Sequence, residues 1–81
     1  MSTQAIEVHP LAQQVSFTES DMVVTLVDGR IVSVPLVWFP RLAGASRRQL
    51  EHYEILADGE GLHWPDIDED LSVTGLLRGT H

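Results

Sequence analysis

The chain has 81 residues, with twelve Asp and Glu against five Arg, no Lys and no Cys, for a formal charge of −7. That length holds one domain with a thin core. The missing cysteines exclude disulfides, thiolate chemistry and Cys-based zinc sites, and they match a reducing, cytoplasmic setting.

An acidic chain without Lys is a poor ligand for phosphate, so no direct nucleic-acid binding is expected. The charge instead favours a protein partner with a basic surface, because complementary charge speeds encounter. The bland alternative is that it only maintains solubility. An apolar fraction of 43% is that of a globular protein. No apolar run approaches the roughly 20 residues of a membrane helix. "MSTQAIEVHPLAQQ" has neither the basic start nor the apolar stretch of a signal peptide.

Residues 1–13 are expected to form a weakly ordered N-terminal segment, and 14–81 a single α+β domain. "QVSFTE" alternates, with Val15 and Phe17 on one side, which is a strand period. "MVVTLVDGRIVSVPL" is the strongest structural signal. Two β-branched runs flank Asp28-Gly29, the favoured pair for a two-residue hairpin turn. That turn would set Leu26 opposite Ile31 and Val24 opposite Ser33. Both hairpin faces would then be apolar, and both would need cover, from a helix on one side and from loops or a second subunit on the other. Pro35 should end the strand.

"VWFPRLAGAS" is expected to be a loop rich in large side chains. Ser46 with Gln49 forms a capping box for a short helix over 47–52. A further strand is expected through Tyr53, Ile55 or Leu56, and 62–70 are expected to turn. Ser72 and Gly79 cap a last short helix. The expected fold is a small antiparallel meander packed with two short helices.

The acidic run is the first site to test. Asp66, Asp68 and Asp70 match the first three ligand positions of an EF-hand, but Leu71 stands where its glycine belongs and Leu77 where its bidentate Glu belongs. Calcium binding of that type is excluded. The residues fit better as a solvated fringe anchored by Ile67 and Leu71. His9, His52, His63 and His81 show no zinc spacing. His63, with Trp64 and Asp66 adjoining, is the histidine whose titration could matter; its bland reading is a hydrogen-bonded structural residue. No serine stands in a hydrolase signature, and "GEG" is too weak for a phosphate loop. No catalytic residue, metal or cofactor is assigned, and the chain is not expected to be an enzyme.

Trp38, Phe39 and Arg41 are of the types that dominate interface hot spots. The competing reading puts both rings in the core and pairs Arg41 with the 66–70 carboxylates. Trp38, Arg41, His63, Trp64, Asp66 and Asp68 are the candidate partner-binding residues.

Two stretches, "DGRIVSVPLVWFPRLAGAS" and "GEGLHWPDIDEDLSVTGLL", together resemble the bacterial family catalogued as domain of unknown function 2442. The resemblance runs from about residue 15 to 79. It rests on the DGR hairpin, on Pro35-Leu36, Trp38 and Pro40-Arg41-Leu42, and on the His63-Trp64-Pro65 to Leu77 ending. It implies a small α+β fold and no known chemistry. Some relatives carry a helix-turn-helix domain after this module, and some are encoded beside small partners in proposed toxin–antitoxin arrangements. This sequence ends at His81 without such a domain, so direct DNA recognition is not expected.

The expected function is therefore a cytoplasmic protein-binding module, antitoxin-like or regulatory. The alternatives are a homodimeric structural subunit, and a small-ligand or metal-responsive domain using the 63–70 segment.

Overall fold

A computed structural model describes residues 10–79. Its first half is a meander: β1 (Ala12–Phe17), β2 (Asp21–Leu26) and β3 (Ile31–Pro35), antiparallel in that order. A 3-10 turn over Leu36–Trp38 leads into α1 (Pro40–Ala43) and α2 (Arg47–Glu51). The second half is another antiparallel trio, β4 (Glu54–Leu56), β5 (Gly61–Trp64) and β6 (Glu69–Ser72), closed by α3 (Val73–Arg78). The α+β class is as expected, with a second sheet and a third helix added. The expected loop after Pro35 is mostly short helix, and the expected turn over 62–70 is largely a hairpin. β1 opens at Ala12, two positions before the expected domain start, and residues 1–9 of the expected N-terminal segment lie outside the described residues.

The β2–β3 register corrects the sequence expectation. Thr25 pairs with Ile31, Val24 with Val32 and Met22 with Val34. The loop has three residues, not two: Leu26 N–H donates to the Arg30 carbonyl at 2.8 Å, and Gly29 N–H to the Leu26 carbonyl at 2.9 Å. Gly29, at φ +98°, supplies the left-handed residue that such a bulged loop needs. The Asp28 carboxylate accepts from the Arg30 N–H at 3.0 Å and from its Nε at 2.8 Å. These bonds, the backbone donor first, hold the Asp28 carboxyl below the usual range.

A one-residue slip exchanges the faces of a strand. Val32 and Val34 join Met22, Val24 and Leu26 on the core side, while Ile31 is 66% exposed and Ser33 faces water. The outer face thus carries Ser16, Thr25 and Ser33 among its apolar residues. The premise that both faces need cover no longer holds.

One core joins the two halves. Met22, Val24, Leu26, Leu42, Leu62, Trp64 and Val73 are all but fully buried. The Tyr53 hydroxyl accepts from the Val15 N–H at 3.2 Å, tying the start of the second half to β1. The capping box forms as expected: Ser46 Oγ accepts from Gln49 N–H at 3.1 Å, and Gln49 Oε1 accepts from Ser46 N–H at 3.0 Å. Ser72 Oγ accepts from Gly75 N–H at 3.1 Å, and Gly79, at φ +77°, closes α3. Among the described residues no helix is long and apolar enough to cross a membrane.

Candidate functional site

Alternation along β5 decides what the second sheet shows to each side. Leu62 and Trp64 turn into the core and are fully buried, so Gly61 and His63 face outward. The cross-strand partners of His63 are Glu54 on β4 and Asp70 on β6; those of Gly61 are Leu56 and Ser72. The outer face thus presents one charged row, Glu54–His63–Asp70, and one row whose central position has no side chain.

His63 Nδ1 bonds Asp70 Oδ1, with the imidazole 26% exposed. That bond, reinforced by the negative charges of Asp70, Glu54 and Asp68 and opposed by partial desolvation, raises the His63 pKa. The expected neighbour, Asp66, is not its partner: Asp66 Oδ2 lies 3.0 Å from His52 Nδ1. The four-residue turn over 65–68 separates the two, with Asp68 at φ +53°. Among the described residues no group of three or more His, Asp or Glu converges in a way that could hold a metal ion.

The pair carries a pH prediction. A histidine whose folded pKa is raised stabilises the fold fully below its unfolded pKa, about 6.5, and loses that contribution as pH rises through the folded value. The His63 ring signals, followed by NMR, should therefore titrate above the ordinary histidine value of about 6.5. In Asp70→Asn they should move down, and that variant should lose its deficit in stability against wild type above the folded His63 pKa. A His63 midpoint at or below the ordinary value would refute the coupling.

The other candidate residues divide. Trp64 is buried, with Nε1–H donating to the Leu50 carbonyl at 3.0 Å, so it supports the surface from beneath and is not itself available to a partner. Trp38 is 37% exposed and Val37 76%, while Phe39 is buried, its ring edge-on to Trp38 at 6.5 Å between centroids. Arg41 does not pair with the carboxylates as expected. Its Nη1 donates to the Asp68 carbonyl at 2.6 Å, so it pins the main chain of the turn. Asp66 and Asp68 are exposed.

Two cavities meet at β6, the edge strand of its sheet, and both are lined by Asp70, Leu71 and Ser72. The larger, about 790 Å³, extends over the outer face to Leu56, Glu60 and Gly61. The smaller, about 560 Å³, lies toward Trp38, Phe39 and Leu76, beside Glu69. Leu56, Gly61 and Ser72 were not singled out from the sequence. The signal that could have found them is period-two alternation through "GLHW" and "EDLS", which places a glycine in the centre of an exposed row.

The fold and surface define a class: a small α+β domain of two three-stranded antiparallel sheets, with an acidic, partly apolar face beside an edge strand. The chain belongs to the family described as protein of unknown function (DUF2442), whose model matches residues 12–81. It is similar to a protein of unknown function from Rhodospirillum rubrum, known from a crystal structure, at 37% identity and TM-score 0.77 over 88% of each chain. It is also similar to an uncharacterized protein from Chromobacterium violaceum, known from a solution NMR structure, at 28% identity and TM-score 0.73. That match covers 85% of this chain and 65% of the other. No curated protein matches the chain.

Proposed function

We propose that this chain is a cytoplasmic protein-binding module that docks onto a partner with a basic surface, as an antitoxin-like or regulatory subunit, and acts by docking rather than by chemistry. The observation that carries this reading is that the exposed Trp38 lines one cavity together with the acidic residues Glu69 and Asp70. An apolar anchor within an acidic rim is the arrangement that a basic partner would recognise. The formal charge of −7 adds long-range attraction. The antitoxin-like character rests on the family resemblance alone.

The test is co-expression with the product of the neighbouring reading frame. A complex should survive size-exclusion chromatography at physiological salt. Trp38→Ala should weaken it by about 2 kcal/mol, the scale of an aromatic hot spot, or roughly 30-fold in Kd. If no complex forms, the antitoxin-like reading falls. If Trp38→Ala binds as wild type does, the Trp38 face is not the contact.

A further inference from the structure

β6 lies at the edge of the second sheet and is flanked by the two cavities described above. Successive side chains of a strand point to opposite faces. On β6, Glu69 stands opposite buried Trp64 and so looks toward the core, as does the half-buried Leu71. Asp70 and Ser72 look outward, in register with His63 and Gly61. The cavity reaching Phe39 and Leu76 is thus on the core side of the strand, and the one over Leu56 and Gly61 is on the outer side. An extended chain running beside β6 would direct alternate side chains to the two.

The two cavities differ in chemistry. The core-side one offers the apolar surface of Trp38, Phe39 and Leu76, with Glu69 at its side. The outer one offers the Glu60 and Asp70 carboxylates around Leu56 and the bare Gly61 backbone, and no Arg lines it. Aliphatic side chains suit the first. Cationic side chains with long apolar stems suit the second, because the stem covers Leu56 while the head meets the carboxylates.

We infer that β6 is a strand-addition site for an extended segment of a protein partner in which cationic and apolar residues alternate. Main-chain pairing along the edge would supply affinity, and the two cavities would supply specificity. The inference rests on the docking reading above and names its contact.

The probe is a fluorescein-labelled peptide, Arg-Val-Arg-Val-Arg-Val-Arg, compared with Arg-Arg-Arg-Arg-Val-Val-Val, which has the same composition and charge without the alternation. The alternating peptide should bind about tenfold more tightly at physiological salt, a difference of about 1.4 kcal/mol, and should slow hydrogen exchange of the β6 amides. Gly61→Val places an aliphatic side chain in the outer cavity without altering charge. A Cβ at that position meets only ordinary contacts, 3.6 Å to the Leu71 carbonyl and 3.7 Å to Leu56 Cβ. This variant should lose the preference, and Trp38→Ala should lose it from the other side. Equal affinity for both peptides would reduce the effect to charge attraction and overturn the site. Unchanged binding in both variants would overturn it as well. If the complex with the neighbouring-frame product forms and survives Gly61→Val while the alternating peptide fails to bind, docking stands and strand addition falls. If neither complex nor peptide binding is seen, both fall.

Discussion

Trp64→Ala is expected to leave the protein largely unfolded at 25 °C. The indole is fully buried on the central strand of the second sheet, with Leu62 beside it and Leu50 beneath. Truncating a buried Trp to Ala costs about 3–5 kcal/mol. A domain of this length has roughly 3–5 kcal/mol in total. The loss therefore consumes the margin, and chemical denaturation should show no folded baseline. Trp64→Phe separates packing from the hydrogen bond. It keeps most of the apolar volume and leaves the Leu50 carbonyl without its donor, at about 1–3 kcal/mol. Trp38→Ala is the contrast, because that ring already meets water; its edge contact with Phe39 is worth about 0.5–1.5 kcal/mol. Urea midpoints for Trp64→Phe and Trp38→Ala, set against the missing folded baseline of Trp64→Ala, check the order. If Trp38→Ala were the most costly, the division of the two tryptophans into support and contact would be wrong.

The same division shows how far local sequence reading carries. Both caps were legible because a Ser with Gln three residues on, and a Ser before an apolar run ending in Gly, act within one turn. The hairpin was legible as a hairpin, but not its loop length. Asp28-Gly29 serves either a two- or a three-residue loop, and the choice is made by what must be buried. A two-residue loop would place Ser33 opposite Val24 in the core and leave Val32 and Val34 outside. The three-residue loop buries Val34, half-buries Val32 and gives water Ser33 at the expense of Ile31. Burying the hydroxyl without a partner would cost about 1–3 kcal/mol. That weighing was available from the sequence. The second sheet was not available in the same way. β4, β5 and β6 are three or four residues each, too short for period-two alternation to stand out beside residues 65–70, where one proline and four acids surround Ile67. Their pairing is set by Leu62 and Trp64 closing over a core supplied by β2. For the same reason the neighbour of His63 could not be found by adjacency: Asp70, seven positions on, faces it across the hairpin, while Asp66 turns away to His52.

Gly59→Ala is the second substitution expected to cost most of the stability, and it links the fold to the proposed contact surface. Gly59 is buried at φ +115°, a conformation that residues with a Cβ rarely adopt. A Cβ there would lie 2.7 Å from the Ala12 carbonyl oxygen and 2.8 Å from the Ala12 nitrogen. Those atoms cannot move aside cheaply, because Ala12 opens β1 in pairing with Leu26 and is itself buried. Backbone strain of about 1–3 kcal/mol adds to overpacking of about 1–3 kcal/mol. Gly29→Ala provides the control. That position also has positive φ, +98°, but a Cβ there meets nothing within 4 Å, so only the strain applies. The urea midpoint should fall further for Gly59→Ala than for Gly29→Ala; equal shifts would show that the approach of residue 59 to β1 is not tight. The consequence reaches function because residues 57–59 tie the start of β1 to β4, and Leu56, Ala57 and Glu60 wall the outer cavity. Where Gly59→Ala remains folded, it should therefore weaken the alternating peptide more than the Trp38 fluorescence or the β2–β3 amides report. Gly29→Ala, at the far end of the first sheet's hairpin, should leave peptide affinity unchanged.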